Sequence, residues 1–365
     1  MTEQTLLGWL WLAQALGPAP GRVQDILRTF PDPEQLLARL DEPGVGALFT
    51  RGQWSALRRT RPAELAPRLE QCRSLGVGIT VYGAPDYPAA LRQLPDAPLA
   101  LYYRGDLSAV AAPLPLAVIG ARTPSSYGRK AAQALAGELA QGGAVIVSGL
   151  AYGLDSAAHE AALEAGMPTV ACLAFGHGRC YPASHGALKA RIEETGLTLS
   201  EYPPQETPRK DFFLQRNRLI AGLSRGVLVV EAKARSGTMN TVSHAVEYGR
   251  DVFAVPGSIF SELSAGTNEL LCQGAHAVRC AADVFSFYGL ELPPAPPPSA
   301  PPPATGQPLS AGARQVLAAL GPAPLGAAEV CAATGLAFPT VLAAFTELEM
   351  AGSVLPAPGR RYVLK

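Results

Sequence analysis

Between residues 114 and 280, six short β-branched runs alternate with helix-like segments, and this alternation restricts the fold more than any other feature of the chain. The runs are Leu116–Ile119, Ala144–Val147, Thr169–Leu173, Leu197–Ser200, Val227–Glu231 and Val252–Val255. Chain of helical pattern between successive strands is what a parallel pair needs to cross over, whereas a hairpin needs only a turn. The expected class is therefore α/β, an extended Rossmann-like fold with a mainly parallel sheet. Each run ends in a polar or glycine-rich turn: GARTPSSYG, SGLAYGLDS, AFGHGRCYP, SEYPPQETP, EAKARSG and PGS. Open sheets of this kind bind ligands outside the carboxyl ends of their strands, so a site is expected among these turns.

The flanks divide the chain further. Residues 1–70 have helical periodicity and no strand run, and GPAPGRVQDILRTFPDPEQLL reads as two short helices joined by a tight turn. Residues 71–113 contain a strand, Ile79–Tyr82, and an apolar stretch, Leu99–Tyr103, so residues 71–290 are expected to form one sheet domain. The proline density of ELPPAPPPSAPPPATGQP makes residues 291–308 an extended linker. Residues 309–365 show three helical patterns and then two short strands around a Pro/Gly turn, the order of a winged helix. The expected recognition helix, Phe338–Met350, holds Glu347 and Glu349 but no Lys or Arg, a poor set for a DNA groove and a better one for a protein.

Charge and cysteine usage remove several classes of function. The 30 Lys and Arg balance 30 Asp and Glu, so an anion site has to be local rather than a basic coat. Six cysteines without a C-x-x-C pair support neither a disulfide framework nor a zinc ribbon; buried free thiols and no metal are expected. No apolar run reaches bilayer length and the first residues lack the basic region of a secretory signal, so the expectation is a cytoplasmic protein without a membrane partner.

Neither G-x-G-x-x-G nor G-x-x-x-x-G-K-[ST] follows any strand, which weakens nucleotide-cofactor chemistry; no cofactor and no catalytic residue is assigned. The first turn is Gly120-Ala121-Arg122, where a glycine lets backbone approach a phosphate and a guanidinium can fork onto it. A plain turn with a surface arginine fits those three residues equally well. The second turn, from Ser148 through Gly149 to Asp155, places Asp155 and His159 one helical turn apart, where a helix cap and a structural histidine outweigh acid/base or metal chemistry. Arg209 to Arg218, RKDFFLQRNR, interleaves four cations with two phenylalanines and an asparagine. That mixture suits single-stranded nucleic acid, with cations on phosphates and a ring under a base. Core phenylalanines and arginines paired with Glu201, Glu206 and Glu231 are the structural alternative. Ser236, Gly237 and Thr238 open a helix after a strand and can form an anion nest, or simply cap that helix.

Taken in order, IGARTPSSYGRKAA, VSGLAYGLDSAAHEAAL, YPASHGAL, SEYPPQETPRKDFFLQRNRLIAGLS, VLVVEAKARSGTMNTVSHAVEYGRDVFAVPG and SAGTNELLCQGAHAV resemble the DprA/Smf family of DNA-processing proteins, across the whole sheet region. The resemblance extends more weakly to an N-terminal module like the family's SAM-like, helix-hairpin-helix type and to its appended winged helix. It implies a homodimer that binds and protects single-stranded DNA and loads RecA on it in natural transformation or recombinational repair, with no enzymatic turnover. Single-strand-binding protein is a further candidate partner. By motif, Arg122 matches the family's phosphate-gripping arginine, and Lys210 and Phe213 match its phosphate-contacting lysine and base-stacking ring. Arg216, Asn217 and Arg218 match the Arg-Asn-Arg that completes the pocket. Gly120, Gly149 and the Ser236-Gly237-Thr238 turn resemble pocket-lining segments, and Leu270 and Leu271 resemble a dimer contact.

The chain departs from the family pattern at Tyr152, where Arg is usual, at His185, where Asn is usual, and at Leu214, where Pro is usual. Met239-Asn240 replaces an aliphatic pair, and AFGHGRCYP is short by about two residues. The rival reading is a Rossmann-like nucleotide phosphoribohydrolase with a P-G-G-x-G-T-x-x-E signature. Only Pro256-Gly257 and Gly266-Thr267-Asn268-Glu269 are present of it, at the wrong spacing.

Overall fold

Every strand run read from the sequence forms within two residues of its expected bounds: β3 Pro115–Ile119, β4 Val145–Ser148, β5 Thr169–Leu173, β6 Leu197–Ser200, β7 Gly226–Val229 and β8 Asp251–Ala254. The computed structural model describes residues 1–292, 309–321, 324–357, 359 and 361–364, in two units divided near residue 295. The expected linker, residues 291–308, falls outside the described residues except for 291 and 292.

Before β3 come α1 Glu3–Leu16, α2 Val23–Thr29, α3 Pro33–Ala38, α4 Arg51–Arg59, α5 Ala66–Ser74, β1 Gly78–Val81, α6 Ala89–Arg92 and β2 Ala100–Gly105. The crossover helices are α7 Ser126–Gln141, α8 Leu154–Glu164, α9 Gly186–Thr195, α10 Lys210–Leu223 and α11 Gly237–Glu247. The sheet region closes with α12 Glu262–Cys272, β9 His276–Ala277 and α13 Ala281–Phe287. The nine strands run in the order β1-β2-β6-β5-β4-β3-β7-β8-β9, parallel throughout from β6 to β9, with β1 and β2 antiparallel at one edge.

Period-two side chains explain why the strands read as unbroken apolar runs. Leu116, Val118, Ile146, Leu228 and Val230 pack beneath α7, α8 and α13, while Ala117, Ile119, Val145, Val147, Val227 and Val229 face α10 and α11 on the other side. Both faces are dry, so alternation with polar residues is lost. The five N-terminal helices share that second core with the sheet. Trp9 and Trp11 are buried in it, and the Trp11 indole N–H donates to the Thr60 carbonyl at 2.8 Å.

The strand order reverses at β3. Strands 4, 5 and 6 follow on one side of it and strands 7, 8 and 9 on the other, so the carboxyl ends of β3 and β7 bound the crevice where an open sheet takes its ligand. The loops at that crevice are Gly120–Ser125 and Val230–Ser236.

The second unit holds α14 Ala311–Ala319, β10 Leu325–Gly326, α15 Ala327–Thr334, α16 Phe338–Met350, β11 Val354–Ala357 and β12 Arg361–Leu364. Three helices over a β10-β12-β11 sheet, with Val316, Val341, Phe345 and Leu348 as core, form the winged helix, and α16 spans the residues expected of its recognition helix. No single described helix is long and apolar enough to cross a membrane.

One expectation is corrected. Only Cys72 and Cys172 are buried thiols; Cys272 and Cys280 are exposed, because they fall at the end of α12 and just before α13 rather than inside a strand or helix face. Leu270, expected at a dimer contact, is 5 % exposed and packs in the sheet core of its own chain, and Leu271 is half-buried against it.

Candidate functional site

A cavity of about 500 Å³ opens at the switch point, lined by the β3 turn, the exposed face of α10, and the start of α11. Its walls carry three cations, Arg122, Arg216 and Lys233, against one carboxylate, Asp155. In a chain of zero net charge this is a local excess of positive charge.

Gly120 follows β3 where no larger residue fits: a Cβ there would lie 2.7 Å from the Glu231 carbonyl oxygen and 2.4 Å from the Leu154 side chain. The turn that follows is fixed by Glu231, whose buried carboxylate accepts from the Ser125 backbone N–H at 2.9 Å and from its hydroxyl. Ser125 in turn caps α7, accepting from Gly128 N at 3.0 Å. Glu231 is thus a turn clamp and not the arginine partner that the structural alternative required. Held this way, Arg122 projects exposed, with its guanidinium carbon 5.3 Å from the centre of the Phe213 ring.

Phe213 is half-buried on α10, with Arg216 5.9 Å from its ring centre and Tyr181 edge-on at 5.5 Å. Arg216 itself is 3 % exposed. It donates to the carbonyls of Gly149 and Cys172, at the ends of two strands, while its Nε has no protein partner. Gly149 is required for that placement, since a Cβ would overlap the guanidinium. The Gly149 role is therefore to admit Arg216, and it does not line the cavity. Burial pushes the Arg216 pKa down, an effect opposed by Asp155 and reinforced by Arg122. Burial likewise pushes the Asp155 carboxyl up, against the opposing pull of Arg216. Asp155 accepts from the backbone N–H groups of Gly149 at 3.2 Å and Ala151 at 3.4 Å, so it orders the β4 turn as well as the charge balance.

Across the cavity, Asn217 donates to the Gly237 carbonyl at 3.3 Å and to Asn240 Oδ1 at 3.1 Å, which ties α10 to the start of α11. Thr238 donates to the Gly120 carbonyl at 3.2 Å. Ser236 precedes α11 without capping it, and its buried hydroxyl lacks a partner. Unsatisfied N–H groups at a helix start, with a free hydroxyl beside them, are the groups that hold an anionic oxygen.

Arg218 does not belong to this cavity. Its side chain is 1 % exposed on another face of α10, paired with Glu201 and with Asp96 Oδ2 at 3.6 Å, and the Tyr248 hydroxyl donates to Asp96 at 2.8 Å. Arg218, expected at the nucleic-acid contact, thus lies in a buried ion pair. Lys210 is exposed in the first turn of α10 but outside the cavity lining. Lys233, not singled out from the sequence, lines the cavity and pairs with Glu262 at 2.7 Å. Its signal was present in EAKARSG, one cation two residues past a strand-end glutamate at the switch point.

His159, weighed for catalysis, is fully buried and bonded through Nδ1 to Thr169 Oγ1 at 2.7 Å. Asn268, from the hydrolase-like fragment, bonds the backbone of Gly257 at 3.2 and 3.1 Å, and Glu269 is exposed outside the cavity lining. Among the described residues no group of three or more His, Cys, Asp and Glu side chains could hold a metal ion.

A family model described as DNA recombination-mediator protein A matches residues 78–289, and one described as DprA winged helix domain matches residues 294–360. The DNA processing protein DprA of Bacillus subtilis is 38 % identical over 60 % of this chain and 73 % of its own, and that of Streptococcus pneumoniae 46 % identical over 55 % and 70 %. Among solved structures, Streptococcus pneumoniae DprA superposes with a TM-score of 0.68 at 34 % identity, covering 78 % of this chain and 98 % of its own. A structure described as giving insight into the single-stranded DNA binding mode of Helicobacter pylori DNA processing protein A matches with a TM-score of 0.53 at 35 % identity, over 58 % and 95 %.

Proposed function

Because the chain belongs to the DNA recombination-mediator protein A, or DprA/Smf, family, we propose that it binds single-stranded DNA in the switch-point cavity and acts there as a holder of the strand rather than as an enzyme. The observation that carries this reading is the half-buried Phe213 ring flanked by the guanidiniums of Arg122 and Arg216 at 5.3 and 5.9 Å. A ring of this kind takes the face of any base, and the adjoining cations and helix-start N–H groups take the phosphates on either side of it. The contact is therefore indifferent to sequence, as a protein that handles arbitrary incoming strand requires.

In this reading Arg122, Arg216 and Lys233 supply the charge and Ser236, Gly237 and Thr238 the backbone nest. Gly120, Gly149 and Asn217 hold the walls in place, and Lys210 meets phosphates beyond the cavity. Delivery of the strand to RecA, assembly as a homodimer, and exchange with single-strand-binding protein rest on the resemblance to the family. Two linked sites in a dimer would raise the effective concentration for a long strand.

Phe213→Ala is expected to weaken binding of a single-stranded oligonucleotide by roughly 1–3 kcal/mol while leaving the salt dependence of binding unchanged, because a stacked ring neutralises no phosphate. Fluorescence anisotropy over a salt series reads both quantities. An unchanged affinity would remove Phe213 from the interface.

A further inference from the structure

A second aromatic ring stands at the rim of the same cavity. Tyr152 follows Ala151, which lines the cavity, and the residue is 50 % exposed. Leu150, just before, takes a left-handed backbone with φ 56°, so the chain turns sharply between the end of β4 and α8 and leaves Tyr152 on the outside of the turn while Leu150 is buried. An exposed tyrosine on a flexible loop would lose much of its binding value to ordering, but this one is braced. The His185 ring meets it edge-on at 5.1 Å, and the Ser184 hydroxyl donates to its phenol oxygen at 3.3 Å. His185 is itself fixed by a 3.1 Å bond from Nδ1 to the Leu150 carbonyl. The loop that carries Ser184 and His185 also carries Tyr181, which touches Phe213, and the exposed Arg179. One loop therefore braces both rings.

We propose that Tyr152 is a second base-stacking platform, receiving a base of the same single strand that lies on Phe213; this rests on the reading of the cavity as a single-strand site. The ligand class is a run of unpaired nucleotides, since a duplex would keep its bases out of reach of either ring. The brace of His185 and Ser184 supplies the rigidity that makes an aromatic face useful to a mobile strand, and Tyr152 is half-exposed. Stacking here is sequence-tolerant for the same reason as at Phe213.

The test compares the parent with Tyr152→Ala, Tyr152→Phe and Phe213→Ala, using an oligothymidine long enough to cover the cavity and the Tyr152 loop, and the same oligonucleotide with its bases removed. Tyr152→Ala should weaken binding of the oligothymidine by about 5- to 100-fold, leave the salt slope unchanged, and have no effect on the abasic strand. Tyr152→Phe, which keeps the ring and loses only the Ser184 contact, should bind as the parent does. If Tyr152→Ala binds oligothymidine as tightly as the parent while Phe213→Ala does not, the second platform is wrong and the cavity reading stands. If Tyr152→Ala weakens both strands equally, the ring acts by shaping the loop and the proposal fails. If the parent binds neither strand, both readings fail together.

Discussion

Arg218→Ala should destabilise the sheet unit by roughly 3–5 kcal/mol and leave the single-strand affinity of the folded protein within about threefold of the parent, because removing one partner of a buried ion pair strands the other charge. The stranded group is Glu201, whose side chain is 5 % exposed and whose carboxyl burial already pushes up, with Arg218 as the main opposing influence. Asp96 and Tyr248 join the same network, so the loss would loosen α10, the end of β6 and the end of α11 at once. Urea unfolding followed by tryptophan fluorescence isolates this unit, since Trp9, Trp11 and Trp54 all belong to it. Adding Glu201→Gln to Arg218→Ala should recover a large part of the loss, because a neutral amide needs no counter-charge. A stable Arg218→Ala protein that no longer binds strand would return Arg218 to the interface.

Acid should destabilise the same unit through two buried histidines. Thr169 Oγ1 donates to the Ile146 carbonyl at 2.7 Å, so it accepts from His159, which must then be the neutral Nδ1–H tautomer with a bare, unpartnered Nε2. His177 bonds through Nε2 to the Thr198 carbonyl at 3.2 Å, leaving Nδ1 bare. Burial holds the pKa of His159 down to about 3 and that of His177 to about 4. Below the unfolded histidine pKa of about 6.5, the unfolded chain takes up protons that the folded one refuses, so stability falls as pH falls, until the folded values are reached. From pH 7.5 to pH 5 each histidine should withdraw roughly 2 kcal/mol. Asp155 and Glu201, whose carboxyls burial pushes up, act in the opposite direction and offset part of this. The histidine share is read by difference: His159→Leu should lower the acid penalty by about 2 kcal/mol relative to the parent. An identical pH dependence in both proteins would mean that His159 titrates normally in the fold.

The sheet was legible because both its faces are buried, which leaves its strands as apolar runs that even a one-residue boundary error does not disguise. The location proposed for the site rests on the same pattern, through the polar turns at the strand ends. The division of labour inside RNR was less accessible, although part of its signal was present. At about 100° per residue, Asn217 lies close to Phe213 around α10, Arg216 lies to the side, and Arg218 points well away. Helical phase alone thus separates the cavity residues from Arg218. What phase cannot supply is the partner: Glu201 and Asp96 reach Arg218 from a strand end and a distant loop. The clamp from Glu231 to Ser125 is invisible for the same reason, joining two turns 106 residues apart. The pairing of Tyr152 with His185 belongs here too, since it depends on two strand-end loops being neighbours in the sheet.

The measurement closest to the central claim is the affinity of single-stranded DNA as a function of salt for the parent and for Arg122→Ala. The parent should lose affinity linearly on logarithmic axes, by about 0.7 log units per log unit of salt for each phosphate neutralised, and Arg122→Ala should bind more weakly with a slope shallower by about 0.7. Equal affinity and equal slope in the two proteins, or binding that does not respond to salt, would contradict a phosphate site at the switch point.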